Sequence, residues 1–195
     1  MKFVFATNNQ HKLIEVRKIL PPSIGIVSLK EIGCFDDLPE TGNTIEANAL
    51  QKARYIYDKY GMNCLADDTG LEVAELGGRP GVYSARFAGS NADAMENNMK
   101  LLSEMKGIEN RKAAFRTIIV LIHNNDEYFF EGRVDGTIAE NLMGTNGFGY
   151  DPLFKPSGFS KTFAEMTDIE KNSMSHRYEA LKKLVKFLTT NFNYS

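Results

Sequence analysis

The first thirty residues alternate apolar runs with polar breaks in an order typical of α/β proteins. The segment 2–7 is a short apolar run that predicts a buried strand. The segment 11–20 has apolar residues at helical spacing and is stopped by Pro21 and Pro22. A second predicted strand follows at 24–29. A strand, a helix and a strand within so short a stretch favour a sheet covered by helices.

Later segments continue this pattern to the end of the chain. We predict helices at 44–60 with Asn43 as the N-cap, at 92–105, and from Ser175 onward. Strands are predicted at 62–66, 71–74, 113–123, 128–131 and 133–139. There is no internal repeat and no break in composition. The 195 residues are therefore predicted to form a single α/β domain, 1–195.

The charge balance and the cysteine content limit the classes of function. The chain has 23 Lys and Arg against 25 Asp and Glu, which argues against a protein that coats nucleic acid. Cys34 and Cys64 are too few for a disulfide framework and fit a reducing compartment. No apolar stretch approaches the roughly 20 residues of a membrane span. We expect a cytoplasmic protein with neither a nucleic-acid nor a membrane partner.

A polar segment between the first strand and the first helix is a candidate anion site. It consists of Thr7, Asn8, Asn9, Gln10, His11 and Lys12. Backbone N–H groups and the helix dipole favour an anion at a helix start, and a lysine there is unfavourable unless it meets one. Taken alone, the segment is explained more simply as a capped helix with a solvated lysine.

Acidic residues next to predicted elements are candidates for metal binding and catalysis. Asp67 and Asp68 directly follow an apolar run, where they repel each other unless a cation or donors compensate. Mg²⁺ is a natural compensator, although a plain acidic turn explains the pair equally well. Glu40 precedes a helix on which Asn48 and Lys52 lie one turn apart, away from the apolar stripe.

A glycine-rich aromatic loop and the start of the last helix complete the set of candidate sites. The loop contains Phe148, Gly149, Tyr150 and Asp151, and its rings could stack on a nucleobase. It matches neither a Walker A loop nor a dinucleotide-binding fingerprint. A tight loop packed on the core is the alternative explanation for the aromatic residues. His176 and Arg177 stand at the start of the last predicted helix. A histidine near a helix start is more often structural. Together the clusters supply what a nucleoside triphosphate and Mg²⁺ require.

The ordered motifs resemble those of the inosine triphosphate pyrophosphatase (ITPase) family. They are Thr7-Asn8-Asn9-x-x-Lys12, Glu40-Thr41-Gly42-x-Thr44-x-x-x-Asn48-Ala49, Ala66-Asp67-Asp68-Thr69-Gly70-Leu71, Pro80-Gly81-Val82-Tyr83-Ser84-Ala85-Arg86, Gly147-Phe148-Gly149-Tyr150-Asp151-Pro152 and Ser175-His176-Arg177. No single motif is diagnostic, but the ordered set covers nearly the whole chain and is specific. Two positions depart from the commonest pattern of the family. Asn8 stands where the family usually has a small Gly or Ser, and Thr69 stands where it usually has Ser. Both keep polar character.

The resemblance implies a fold, a reaction and an assembly. The implied fold has a mixed central β-sheet flanked by helices, in an elongated two-lobed shape with a central cleft. The implied reaction is Mg²⁺-dependent hydrolysis of non-standard purine nucleoside triphosphates (ITP, dITP, XTP) to the monophosphate and pyrophosphate, which keeps them out of DNA and RNA. The implied assembly is a homodimer.

The resemblance also implies residue roles. The phosphates would be held by Thr7, Asn8, Asn9, Gln10, His11, Lys12 and Lys52. Glu40 and Asp68 would bind Mg²⁺, Asp68 would also accept the proton of the attacking water, and Asp67 would shape the acidic site. Other substrate contacts would come from Thr69, Phe148, Gly149, Tyr150, Asp151, Lys171, His176 and Arg177, the last three towards the purine.

Two alternative functions remain open at this point. A pyrophosphatase of the Maf type would act on modified pyrimidine or methylated nucleotides, but the Ser175-His176-Arg177 motif and the aromatic loop argue against it. A nucleotide-binding regulatory module would bind without turnover, but the intact carboxylates and Lys52 make this the weaker hypothesis. A measurement of pyrophosphate release from ITP distinguishes an enzyme from a regulatory module, because only the enzyme releases pyrophosphate.

Overall fold

The computed structural model describes residues 1–192. The α-helices are α1 (Gln10–Ile19), α2 (Ile45–Tyr60), α3 (Ala94–Glu104), α4 (Asp168–Asn172) and α5 (His176–Phe192). The strands are β1 (Lys2–Phe5), β2 (Gly25–Ser28), β3 (Cys64–Val73), β4 (Pro80–Gly81), β5 (Lys112–His123), β6 (Asp126–Ile138) and β7 (Phe154–Pro156). None of the helices in this described range is long and apolar enough to cross a lipid bilayer.

The strands form a mixed sheet. Their hydrogen-bonded order is β2-β1-β3-β5-β6-β7, and β4 pairs with β3. β1 runs parallel to β2 and to β3, whereas β4 is antiparallel to β3 and β7 is antiparallel to β6. The two-residue turn between β5 and β6 has positive φ at Asn124 and Asn125, as the Asn-Asn pair predicts for a tight hairpin. The predicted α/β class with a mixed sheet and flanking helices is confirmed.

The chain forms two compact units, each with its own core. Within the described residues, the first unit contains 1–68, 117–132 and 177–192, and the second contains 69–116 and 133–176. In the first unit, apolar residues of α1, α5 and the strands pack together, including Phe3, Phe5 and Leu184. The core of the second unit is rich in aromatic residues and includes Phe115. Strands β3, β5 and β6 contribute residues to both units.

The start of α2 differs from the prediction by one residue. The N-cap is Thr44 rather than Asn43, because Thr44 is extended (φ −134°, ψ 157°) and its Oγ1 accepts the N–H of Ala47 at 3.1 Å. Either residue type can cap a helix, so sequence alone does not separate the two. The shift leaves the spacing of Asn48 and Lys52 on α2 unchanged.

The largest departure from the predicted elements concerns the two adjacent aspartates. We expected a turn between two short strands, but β3 runs without interruption from Cys64 to Val73. Side chains alternate between the faces of a strand, so Asp67 and Asp68 point to opposite sides of the sheet. Each carboxylate can therefore have its own partners, and no turn is needed to relieve their repulsion. The acidic-turn alternative is wrong for this segment. In the same way, β6 is one strand where two were predicted.

Candidate active site

Asp67 lies at the centre of a buried ion-pair cluster in the first unit. Arg177 donates from Nε and Nη2 to Asp67 Oδ2 at 3.0 and 2.9 Å, and Lys12 Nζ lies 3.1 Å from Asp67 Oδ1. Arg177 also donates to Glu15 of α1. Burial by itself raises the pKa of Asp67, but Lys12 and Arg177 outweigh it and hold that pKa below its ordinary range. The structure thus places Arg177 among carboxylates, whereas the sequence interpretation assigned it to the purine.

Asp68 forms a second cluster in the same unit. Lys52 donates to Asp68 Oδ1 at 3.3 Å and to Glu40 Oε1 at 2.5 Å, and Asn48 Nδ2 donates to Asp68 Oδ2 at 3.3 Å. Thr117 Oγ1 donates to the backbone carbonyl of Asp68 at 2.9 Å. Burial raises the pKa of Asp68 despite the opposing charge of Lys52. A buried carboxylate whose pKa is raised is better able to take up a proton near neutral pH.

The same cluster keeps Lys52 charged. Burial lowers the pKa of the Lys52 ammonium, but the carboxylates of Asp68 and Glu40 outweigh this effect and raise it. The ammonium of Lys12 shows the opposite balance, because burial lowers its pKa and Asp67 opposes the shift only in part. The two lysines therefore present ammonium groups of different acidity.

The donor set around Asp68 fits Mg²⁺. Glu40 and Asp68 both contact the same cation, the ammonium of Lys52, so their carboxylates already converge on a positive charge. Mg²⁺ is commonly held by one or two carboxylates together with substrate phosphates rather than by a cage of protein ligands. Over residues 1–192, no group of three or more His, Cys, Asp or Glu gathers to form such a cage. The carboxylates of Glu40 and Asp68 suit a Mg²⁺ site whose remaining ligands are phosphate oxygens of the substrate.

The segment before α1 is a capped helix start. Asn9 Oδ1 accepts the backbone N–H groups of His11 and Lys12 at 2.9 and 3.2 Å, and Thr7 Oγ1 accepts that of Asn9 at 3.2 Å. Gln10 begins the helix and is exposed. The simpler explanation of this segment was a capped helix with a solvated lysine, and the cap is present. Lys12, however, is paired with Asp67 rather than solvated. Phosphate contacts by this segment stay a prediction.

The aromatic loop of the second unit is held by a buried carboxylate. Asp151 Oδ2 accepts the N–H of Phe148 at 2.8 Å and the ammonium of Lys171 at 2.7 Å. Lys171 Nζ also lies 4.8 Å from the centre of the Phe148 ring. The carbonyl of Gly149 accepts Nδ2 of Asn98, from α3, at 2.9 Å. The structure therefore brings together three of the residues predicted for the base site, Phe148, Asp151 and Lys171.

Tyr150 and His176, two further residues predicted to contact the base, are buried like Asp151 and Lys171. Tyr150 belongs to the hydrophobic core and donates from its hydroxyl to the carbonyl of Ser84 at 2.9 Å, and burial raises its pKa. His176 is buried and stacks on Phe115, with ring centres 4.6 Å apart. Thr69 lies in β3. Of the two aromatic residues in the loop, the half-buried Phe148 is the one with an accessible ring.

Several partners of the candidate residues were not anticipated from the sequence. Glu15, which contacts Arg177, lies three positions after Lys12 and so on the same face of α1, a spacing that could have revealed it. Thr117 directly precedes the apolar run 118–122 of β5, but its neighbour Arg116 is also polar, so the sequence does not single it out. Nothing local predicts that Asn8 Nδ2 donates to the carbonyl of Asp36 at 3.0 Å.

Comparison with known proteins identifies the family. The profile of the Ham1 family matches residues 3–187. The chain belongs to the Ham1 family. It is 51% identical over 189 residues to a protein of Flavobacterium johnsoniae named dITP/XTP pyrophosphatase, covering 97% of this chain and 98% of that protein. A protein of the same name from Flavobacterium psychrophilum is 50% identical over 187 residues, covering 96% of this chain and 98% of that protein.

Solved structures agree with this assignment. A HAM1 protein from Coxiella burnetii superposes with a TM-score of 0.89 at 37% identity and covers 97% of this chain and 99% of that one. The Staphylococcus aureus Ham1 protein gives a TM-score of 0.88 at the same identity and the same coverage. The resemblance inferred from the ordered motifs is confirmed.

Proposed function

We propose that this Ham1-family chain is a Mg²⁺-dependent pyrophosphatase of non-standard purine nucleoside triphosphates. It hydrolyses dITP, XTP and ITP to the monophosphate and pyrophosphate and so keeps these nucleotides out of DNA and RNA. The observation that carries the proposal is that Glu40 and Asp68 share the buried ammonium of Lys52. The names of the relatives support the same substrate class.

The phosphate chemistry is assigned to the first unit. Lys12, Lys52 and the segment from Thr7 to Lys12 bind phosphate oxygens, and Glu40 and Asp68 hold Mg²⁺. When bound, the metal neutralises phosphate charge and makes the pyrophosphate a better leaving group. Asp68 accepts the proton of the attacking water, a role supported by its raised pKa. Asp67 stays ionised and orients Lys12.

Base selection is assigned to the aromatic loop and its neighbours. Phe148 stacks on the purine, Lys171 and His176 contact its edge, and Gly149, Tyr150, Asp151 and Thr69 shape the surroundings. Arg177 is proposed as a further purine contact, although its guanidinium is bound by Asp67 and Glu15 in the structure. A donor that meets a 6-oxo group leaves a 6-amino group unpaired, which costs about 1–3 kcal/mol per contact.

A pyrophosphate-release panel tests the proposed function. The purified chain is assayed with dITP, XTP, ITP, GTP, ATP and dUTP, with and without Mg²⁺. We expect pyrophosphate from the first three substrates, much lower kcat/KM for the others, and loss of activity when Mg²⁺ is chelated. A preference for modified pyrimidine nucleotides would instead indicate a Maf-type enzyme. Tight binding of ITP with no turnover would indicate a regulatory module.

Two glycines of the aromatic loop offer a matched test of the base site. Both have positive φ, so an alanine strains the backbone at either position. A Cβ on Gly147 would lie 2.1 Å from Asp151 Oδ2, whereas a Cβ on Gly149 meets no atom within 4 Å. We expect the KM for dITP of Gly147→Ala to be about ten times that of Gly149→Ala. The reason is that the alanine at position 147 displaces the Asp151 carboxylate, which holds Lys171. Equal KM values in the two variants would contradict this assignment of the loop.

We further propose that the enzyme is a homodimer acting in the cytoplasm, where the nucleotide pool is used for nucleic-acid synthesis. A reducing location agrees with the two free, buried cysteines, Cys34 and Cys64. Light scattering after size-exclusion chromatography should give a mass of twice 21.9 kDa. A single-chain mass at micromolar concentration would contradict the dimer.

A further inference from the structure

Asn48 of α2 makes two hydrogen bonds, one with the segment that follows Glu40 and one with the carboxylate of Asp68. Its Oδ1 accepts the backbone N–H of Gly42, two residues after Glu40, at 2.8 Å. Its Nδ2 donates to Asp68 Oδ2 at 3.3 Å. The side chain is fully buried, with 0% of its surface exposed. One amide therefore connects the segment that carries Glu40 to the carboxylate of Asp68.

The chemistry of this position requires an amide. A backbone N–H needs an acceptor and a carboxylate needs a donor, and an asparagine side chain supplies both in the volume available. The packing is tight, since a Cβ on Gly42 would lie 2.9 Å from Asn48 Oδ1 and 2.7 Å from Ala47 Cβ. Leucine at position 48 would offer neither group. Aspartate would keep an acceptor for Gly42 but would place a second negative charge against Asp68.

A second anchor of the same segment makes no contact with Asp68. Gln51, three residues further along α2, accepts the backbone N–H of Thr41 at 2.9 Å and donates to Thr41 Oγ1 at 2.9 Å. The segment next to Glu40 is thus held at two points by α2. Of the two side chains, Asn48 alone also contacts Asp68. Substitutions at Asn48 and Gln51 can therefore separate the effect of holding the Glu40 segment from the effect of contacting Asp68.

We propose that Asn48 is a positioning residue that fixes the Glu40 segment and the Asp68 carboxylate relative to each other, so that both are preset to hold one divalent cation. The inference rests on the proposed function, in which Glu40 and Asp68 bind Mg²⁺. Asn48 touches neither metal nor substrate in this role. It acts by orienting ligands, as hydrogen-bonding partners of metal ligands do in other metal sites.

The test combines Mn²⁺ binding with turnover, using the full chain. Mn²⁺ alone, as a stand-in for Mg²⁺, is titrated by isothermal calorimetry and electron paramagnetic resonance without nucleotide, and kcat for dITP is measured with Mg²⁺. Asn48→Leu is expected to weaken Mn²⁺ binding about 10–100-fold and to lower kcat. Asn48→Asp keeps the side-chain volume and the acceptor for Gly42, yet kcat is expected to fall at least about tenfold. Unchanged kcat in Asn48→Asp, which loses the donor to Asp68 and keeps the acceptor for Gly42, would contradict a role at Asp68.

Gln51→Leu is the matched control, because it releases the same segment without touching Asp68. We expect its kcat to stay within about threefold of wild type and its Mn²⁺ affinity to exceed that of Asn48→Leu. A loss of kcat in Gln51→Leu as large as in Asn48→Leu would show that only the segment matters and would overturn the role at Asp68. If Asn48→Leu does not fold, the proposal can still be contradicted with Asn48→Asp, which retains the acceptor for Gly42: unchanged kcat in that variant would overturn the role at Asp68.

The two proposals fail in different ways. Absence of dITP hydrolysis by the wild-type chain would contradict the proposed function. Wild-type hydrolysis together with unchanged kcat in Asn48→Asp, or unchanged Mn²⁺ affinity in a folded Asn48→Leu, would contradict only the role of Asn48.

Discussion

Asp68→Asn should lower kcat for dITP hydrolysis by about a thousandfold or more, since it removes the proposed base and one of two proposed Mg²⁺ ligands. The fold should persist. Asparagine has nearly the same shape, and the backbone carbonyl of Asp68 keeps its bond from Thr117. The pKa of Asp68 is raised by burial, so its charge is costly to bury and a neutral amide removes that cost. Pyrophosphate release gives kcat, and circular dichroism with urea unfolding gives the stability.

Asp126→Asn is the control for this substitution. Asp126 begins β6 and is exposed, so the same chemical change there should leave both kcat and the urea midpoint at wild-type values. Near-normal kcat in Asp68→Asn would refute the proposed role of Asp68. Loss of activity together with loss of the folded signal would assign Asp68 to stability instead.

Arg177→Met should lower the free energy of unfolding by about 3–5 kcal/mol, the usual cost of removing one partner of a buried ion pair. Arg177 is 1% exposed and is the donor to both Asp67 and Glu15, and Asp67 has no exposed surface. Methionine fills similar space but leaves Lys12 as the remaining cation against Asp67. Urea unfolding monitored by circular dichroism measures the change.

The matched control is an arginine in an exposed ion pair. Arg17 Nη2 lies 2.7 Å from Glu31 Oε2, and the Arg17 side chain is 43% exposed. Arg17→Met should cost less than about 1 kcal/mol, because water and salt screen such a pair. Equal losses in the two variants would mean that the Asp67 cluster contributes no more than a surface contact.

The same cluster predicts an acid dependence of stability. The folded-state pKa of Asp67 is depressed, so its pairing stabilises the fold fully above the ordinary aspartate pKa of about 4. That contribution is lost as the pH falls from about 4 towards the folded-state value. The stability gap between wild type and Arg177→Met should therefore be largest near pH 7 and should narrow below pH 4. A gap that is constant across this range would contradict the assignment.

The sequence predicted the local elements where one pattern dominated. The apolar periodicity of α1 and the continuous apolar run of β5 were sufficient to place both elements. The Asn-Asn turn also followed from local conformational preference. The prediction failed at β3, where the acidic pair favours a turn locally. There the pairing of neighbouring strands kept the chain extended through Asp67 and Asp68, as tertiary context often does for strands.

The sequence by itself determined the chemical inventory of the candidate site and, through the order of its motifs, the family. Tertiary structure decided which groups face which. Arg177 meets Asp67 across 110 residues of chain, and Glu15 meets Arg177 across 162. The two aspartates take different partners because a strand turns successive side chains to opposite faces. Local patterns carry no information about such distant pairs, since the energy of a buried ion pair depends on burial and separation in space rather than in sequence.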